Sequence, residues 1–243
     1  MKRAYLIVMV AVVLGLGLAV LAVPSIMARD GDGVKVIDRD SVAYGRTYSE
    51  WSAAWQQWAL SIPASNHPLF DTGDCSVGQS GPVWFLGGKF CNINNPNCGT
   101  SNVVRSCSVP AGEALYIPVL NGEFSVLESN NPLEQIDDLR LLAAQAMNGT
   151  TNEFDIDGKQ IRNLLQDFGV QSTAFVFTIP DDNLFNAVGE GPYPGGAYFP
   201  GLDDGVYVML APLRGGPHKI HFHGYMPAYG FTLDITYNLT VGK

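Results

Sequence analysis

The sequence predicts a mainly β protein: an antiparallel β-sandwich, jelly-roll-like or Ig-like, with two covering helices. Three observations carry that expectation. Roughly seven to nine short apolar runs are separated by turn signals, drawn from 27 Gly and 15 Pro, which is the spacing of sandwich strands. The last run, Phe231 to Val241, alternates apolar and polar residues without a break, the period of a half-buried antiparallel strand. Only two segments carry apolar residues at helical spacing.

Composition supports a folded domain and excludes several function classes. Charged residues make up 15% of the 243, against about 25% in an average soluble domain. Hydrophobic residues reach 47% and aromatic residues 11%, enough for a core, so disorder is excluded. A net charge of −9 and a pI of about 4.7 argue against a nucleic-acid binder. One long apolar run excludes a polytopic membrane protein.

That run is N-terminal. Met1-Lys2-Arg3 is basic, Ala4 to Val23 is uncharged, and Ile26-Met27-Ala28 precedes Arg29-Asp30. This is the layout of a secretory signal peptide, residues 1–28, cut after Ala28. The apolar stretch is also long enough to span a bilayer, so an uncleaved anchor is the alternative. Either way, residues 29–243 form a single extracytoplasmic β-rich domain, secreted, periplasmic or at the cell surface, and only an uncleaved N-terminus would touch a membrane.

The elements follow in order. Tyr44 to Ile62 reads as a helix: Thr47 and Glu50 form a T-x-x-E capping box, Tyr48, Trp51, Trp55 and Trp58 share a face, Gln56 and Gln57 lie off it, and Pro63 ends it. Residues 63–82 read as loop and Val83 to Leu86 as a short strand. Lys89 to Asn102 is an Asn-rich loop. Val103 to Val109 and Glu113 to Leu120 read as two strands joined at Pro110-Ala111-Gly112, with Pro118 marking an edge or a bulge. Pro132 to Met147 is the second helix, with Leu133, Ile136, Leu139 and Ala143 in one stripe. Asp157-Gly158 is a hairpin turn. Gln171 to Ile179 reads as one strand with Phe175 and Phe177 on one face. A Gly/Pro-rich loop runs from Asp181 to Asp204. Val206 to Leu213, apolar on both faces, reads as a central strand, and Lys219 to Gly224 as another.

Several of these segments carry a resemblance. Glu50-Trp51-Ser52-Ala53-Ala54-Trp55-Gln56-Gln57-Trp58, Gly81-Pro82-Val83-Trp84-Phe85-Leu86, Cys107-Ser108-Val109-Pro110-Ala111-Gly112 and Pro217-His218-Lys219-Ile220-His221-Phe222 are similar to segments of a family of secreted, largely uncharacterised bacterial proteins. The resemblance implies export and one domain, and brings no activity with it.

Four cysteines behind a signal peptide read as two disulfides, with three pairings open. Cys91–Cys98, stapling the Asn-rich loop, and Cys75–Cys107, enclosing it, are favoured. The spacing lacks the paired short repeats of a zinc ribbon. His221 and His223 point the same way on a strand, and such a pair suits Cu or Zn, with His67 or a loop carboxylate as third ligand. The simpler reading makes His221 and His223 part of a solvent face, and His218 a hydrogen-bonded strand-start residue. The aromatic stripe of the first helix reads as core.

Ser80, in Asp74-Cys75-Ser76-Val77-Gly78-Gln79-Ser80-Gly81-Pro82, superficially follows a trypsin-type nucleophile loop. Gln79 replaces the acid, one Gly is missing and no upstream Ala-Ala-His-Cys exists, so a turn is expected. The pairs Asp71/Asp74, Asp155/Asp157, Asp181/Asp182 and Asp203/Asp204 lack EF-hand spacing; Asp204-Gly205 reads as a turn, and the 181–204 loop as a weak Ca²⁺ candidate. No nucleophile elbow, facing acid pair or phosphate loop is evident. The favoured function is therefore noncatalytic binding of a small ligand, a glycan or a surface protein. The alternatives are a secreted Cu or Zn enzyme centred on His221 and His223, and a structural protein of the cell surface.

Overall fold

A computed structural model describes residues 33–90, 102–127 and 136–242. The expected signal or anchor, the Cys91–Cys98 pair and Leu133 lie outside the described residues. The chain divides into Met1–Gly33 and Val34–Lys243, and the second unit holds the architecture below.

The β-sandwich expectation is met by two five-stranded sheets, and both are mixed rather than purely antiparallel. In chain order the strands are β1 (Val83–Phe85), β2 (Val103–Val109), β3 (Ala114–Ser125), β4 (Thr151–Ile156), β5 (Lys159–Ile161), β6 (Gly169–Gln171), β7 (Phe175–Ile179), β8 (Gly196–Leu210), β9 (Gly216–Met226) and β10 (Phe231–Val241). The helices are α1 (Tyr48–Ser61), α2 (Ile136–Ala146), α3 (Leu164–Phe168) and α4 (Leu184–Ala187). The inner sheet runs β1-β3-β8-β6, with β7 also paired to β8; the outer runs β2-β10-β9-β4-β5. β1 runs parallel to β3 and β2 parallel to β10.

Burial explains the layering. Ala114 to Leu120 on β3 and Val206 to Leu210 on β8 are buried without alternation, which requires cover on both faces. One face packs Leu115, Ile117, Val206 and Val208 against Ile220, Phe222, Ile235 and Tyr237 of the outer sheet. The other packs Tyr116, Tyr207 and Met209 against Tyr48, Trp51, Trp55 and Trp58 of α1. The second unit is thus three layers: helix, inner sheet, outer sheet. The outer sheet is covered on one side only, so β2 and β10 alternate.

Several expectations need correction. α1 starts at Tyr48, because Tyr44 sits at φ 52 and Gly45 at φ 83, outside helical backbone; Thr47 and Glu50 do form the capping box. The second of the two strands starts at Ala114 rather than Glu113, and the four residues between β2 and β3, Pro110 to Glu113, cross from one sheet to the other. Pro118 lies inside the sheet, at a register shift between Pro118 and Leu120, so the bulge expectation holds and the edge expectation does not. Gln171 to Ile179 splits into β6 and β7. Much of the expected 181–204 loop is α4 and the first half of β8. The Asp157-Gly158 hairpin joins β4 and β5 as expected, with positive φ at both residues.

Candidate functional site

A cavity of about 490 Å³ opens where the β3 bulge, α1, α4 and the β9–β10 connection meet. Trp55, Ala59 and Leu60 of α1 form one wall, and Leu120 and Phe124 of β3 another. Leu184, Phe185 and Tyr193 also line it, as do Met226, Tyr229, Phe231 and Leu233. The lining is mostly apolar and aromatic, the composition of small-molecule sites. Lys89, Glu123 and Glu190 also reach it, and each is engaged within the protein. Gly87 and Gly88 carry the chain past this wall. A Cβ on Gly87 would meet Leu69 at 2.6 Å and the Trp55 ring at 2.8 Å, and one on Gly88 would meet Leu233 at 2.5 Å, so a side chain at Gly87 would strike the Trp55 ring and one at Gly88 would force Leu233 to move.

Two further lining residues, Gln56 and Asn121, belong to a buried polar cluster beneath the cavity. Its centre is Asp203 on β8, which is fully buried. Gln56 Nε2 donates to Asp203 Oδ1 at 2.7 Å, and Asn121 Nδ2 donates to the same oxygen at 3.0 Å. Ser52 Oγ and Tyr207 Oη donate to Oδ2. Ser52 and Gln56 are one turn apart on α1, so they share a face. Asp203 N donates to Ser172 Oγ at 2.9 Å, fixing the backbone. Burial pushes the Asp203 carboxyl up to about 6, while its four hydrogen bonds pull the other way. Burial, and then the neighbouring carboxylate, also raise the Tyr207 phenol well above its ordinary value. No sequence motif marks this cluster; Gln56 was placed off the helix's buried stripe, yet it is buried.

A second buried polar group supports the cavity wall. Arg105 of β2 donates to Gly87 O and Gly88 O and to Tyr237 Oη, at 2.6–3.0 Å, and pairs with Asp71 at 2.6 Å. Its guanidinium lies 5.6 Å from the Tyr237 ring centre, a cation–π contact.

The residues singled out from the sequence are dispersed. Cys75 and Cys107 form the expected disulfide, which points to an oxidising compartment. His221 and His223 share the solvent-side face of the outer sheet, and His221 Nε2 lies 3.1 Å from Asp234 Oδ1. His67 is buried elsewhere: its Nε2 donates to Ala59 O and its Nδ1 accepts from Leu69 N, so neither nitrogen is left for a metal. Burial lowers its basicity. Among the described residues, no group of three or more His, Cys, Asp or Glu side chains is placed to hold a metal ion. His218 is hydrogen-bonded to Asp157 at 2.6 Å and to Arg214 O at 2.8 Å. Asp181 Oδ1 accepts from Gly195 N and Asp182 Oδ2 from Ser65 N, so both acids brace backbone. Gln79, beside Ser80, clamps β1: its Oε1 accepts from Phe85 N, and its Nε2 donates to Phe85 O and Cys75 O. No helix of the described residues is long and apolar enough to cross a membrane.

No protein-family model matches the chain. No curated protein matches it either. Among solved structures it is similar to PbICP-C in complex with falcipain-2, at 15% identity and a TM-score of 0.28, over 65% of this chain and 98% of that one. Amebosin is similar at 16% identity and a TM-score of 0.24, over 66% and 99%. The cysteine protease inhibitor EhICP2 from Entamoeba histolytica is similar at 13% identity and a TM-score of 0.21, over 65% and 95%. With TM-scores this far below 0.5, these are distant likenesses, and the functional reading rests on the cavity.

Proposed function

We propose that this chain is a noncatalytic, extracytoplasmic binding protein that holds a small, largely apolar molecule in the cavity between α1, β3 and the β9–β10 connection. The cavity itself carries the reading: its volume of about 490 Å³ falls in the range of about 300–1,000 Å³ typical of small-molecule sites. Aromatic side chains supply contact area, and Gln56 and Asn121 bring two neighbouring amides to the lining, since both reach Asp203 Oδ1. The Asp203 cluster supports binding rather than chemistry, because its carboxylate is enclosed by four donors and faces protein. The Cys75–Cys107 disulfide supports a protein that meets its ligand outside the cytoplasm, as does the signal-like pattern of residues 1–28.

The test uses N-phenyl-1-naphthylamine, a neutral fluorescent probe of suitable size. Saturable one-to-one binding, with energy transfer from Trp55 in the cavity wall, is the expected result. Filling the cavity by Leu60→Trp or Met226→Trp should weaken binding by about tenfold or more while near-UV circular dichroism shows a folded protein. Absence of saturable binding by the wild-type chain overturns the reading.

A further inference from the structure

The cavity's polar end has a defined hydrogen-bonding sense. Gln56 and Asn121 both line the cavity, and both give their amide nitrogens to one oxygen of Asp203, at 2.7 and 3.0 Å. An ionised carboxylate can only accept. The amides are therefore held with NH₂ toward Asp203 and C=O away from it. Ser52 and Tyr207 give their hydroxyl protons to the other carboxylate oxygen, so the cluster has no spare donor to receive the C=O of an amide turned round. Among the described residues no donor meets Gln56 Oε1 or Asn121 Oδ1. Neither oxygen is among the fully enclosed atoms that lack a partner, so each remains accessible. These two oxygens belong to side chains fixed from behind, so they require no reordering on binding.

We infer that the cavity selects an apolar molecule carrying a hydrogen-bond donor, a hydroxyl or N–H, which is received by Gln56 Oε1 and Asn121 Oδ1, and that it rejects carboxylates and acceptor-only molecules of the same shape. This rests on the binding reading above. The reason for rejection is that an acceptor-only group would face two carbonyl oxygens and be left desolvated without a partner. The selectivity belongs to the Asp203 cluster as a whole, since it sets the orientation of both amides.

Calorimetric titration at pH 8 with 2-naphthol, 2-methoxynaphthalene and 2-naphthoate tests it, because the three share a ring system and differ in the polar group. Naphthol should bind about tenfold more tightly than the methoxy compound, and naphthoate more weakly still. Gln56→Met and Asn121→Ala should each narrow the naphthol-to-methoxy ratio. The wild-type comparison stands even if a variant fails to fold. Equal affinity for the three probes, or preference for the methoxy compound or the carboxylate, overturns the donor selectivity and leaves the cavity reading intact. Binding of none of them, with no binding of N-phenyl-1-naphthylamine, overturns both.

Discussion

Asp203 is the residue on which the candidate site turns, and its energetics are testable apart from any ligand. Its folded-state carboxyl titrates near 6 rather than at the ordinary 3.8, chiefly because burial disfavours the charge. A folded pKa raised above the unfolded one contributes stability that is complete below the unfolded value and lost as pH rises through the folded value. The contribution therefore falls by about 2–3 kcal/mol between pH 4 and pH 8. Asp203→Asn has no such titration, and Ser52 and Tyr207 can rotate their hydroxyls to accept from the new NH₂. Urea unfolding across this range should show the variant gaining about 2–3 kcal/mol on wild type as pH rises; a difference that stays flat with pH would refute the assignment. The sequence pointed elsewhere, because Asp204-Gly205 carries turn chemistry. In the fold Gly205 has extended backbone inside β8, and a Cβ there would lie 2.5 Å from Asn121 Cβ. The glycine serves the close approach of β3 to β8, which local residue preferences do not encode.

At the scale of elements, α1 was the most legible part, and its aromatic stripe is core as expected. Less legible was what the polar tips of that stripe do. Tyr48 Oη donates to Ile37 O, Trp51 Nε1 to Ala43 O, Trp55 Nε1 to Leu86 O and Trp58 Nε1 to Val77 O. Each aromatic ring fills the layer between α1 and the inner sheet, and together they tie three non-helical stretches, before α1, around Val77 and after β1, to the helix. The aromatic pattern announces burial, whereas the acceptors are carbonyls of any residue type and leave no trace in sequence. Trp58→Phe keeps an aromatic ring but removes the donor to Val77. It should cost about 2 kcal/mol of stability. It should also speed amide hydrogen exchange of residues 75–79 more than that of β8. Equal acceleration across the molecule would argue that Trp58 acts only through packing.

At the scale of the whole molecule, strand existence was readable and strand partnership was not. β2 and β3 are separated by four residues, a spacing that would suit a hairpin, yet they belong to different sheets. Their burial patterns carry the distinction: β2 alternates, as one-sided cover requires, while β3 is buried continuously from Ala114 to Leu120, where α1 and the outer sheet cover both faces. The parallel pairs β1–β3 and β2–β10 join segments distant in sequence, which a periodicity argument cannot connect. This topology gives the Cys75–Cys107 disulfide its role. Cys75 lies in the segment that Trp58 and Gln79 hold against α1 and β1, and Cys107 lies in β2 at the end of the outer sheet's strand order. The bond therefore ties the helix side of the inner sheet to the outer sheet, across a sequence separation of 32. Closing a loop of that length restricts the unfolded chain by about 3–4 kcal/mol on the chain-entropy account. Cys75→Ala/Cys107→Ala should lower the unfolding free energy by about that amount, with β2 amides losing protection before those of β8. A double variant within about 0.5 kcal/mol of wild type would mean that the β2–β10 ladder alone secures the outer sheet.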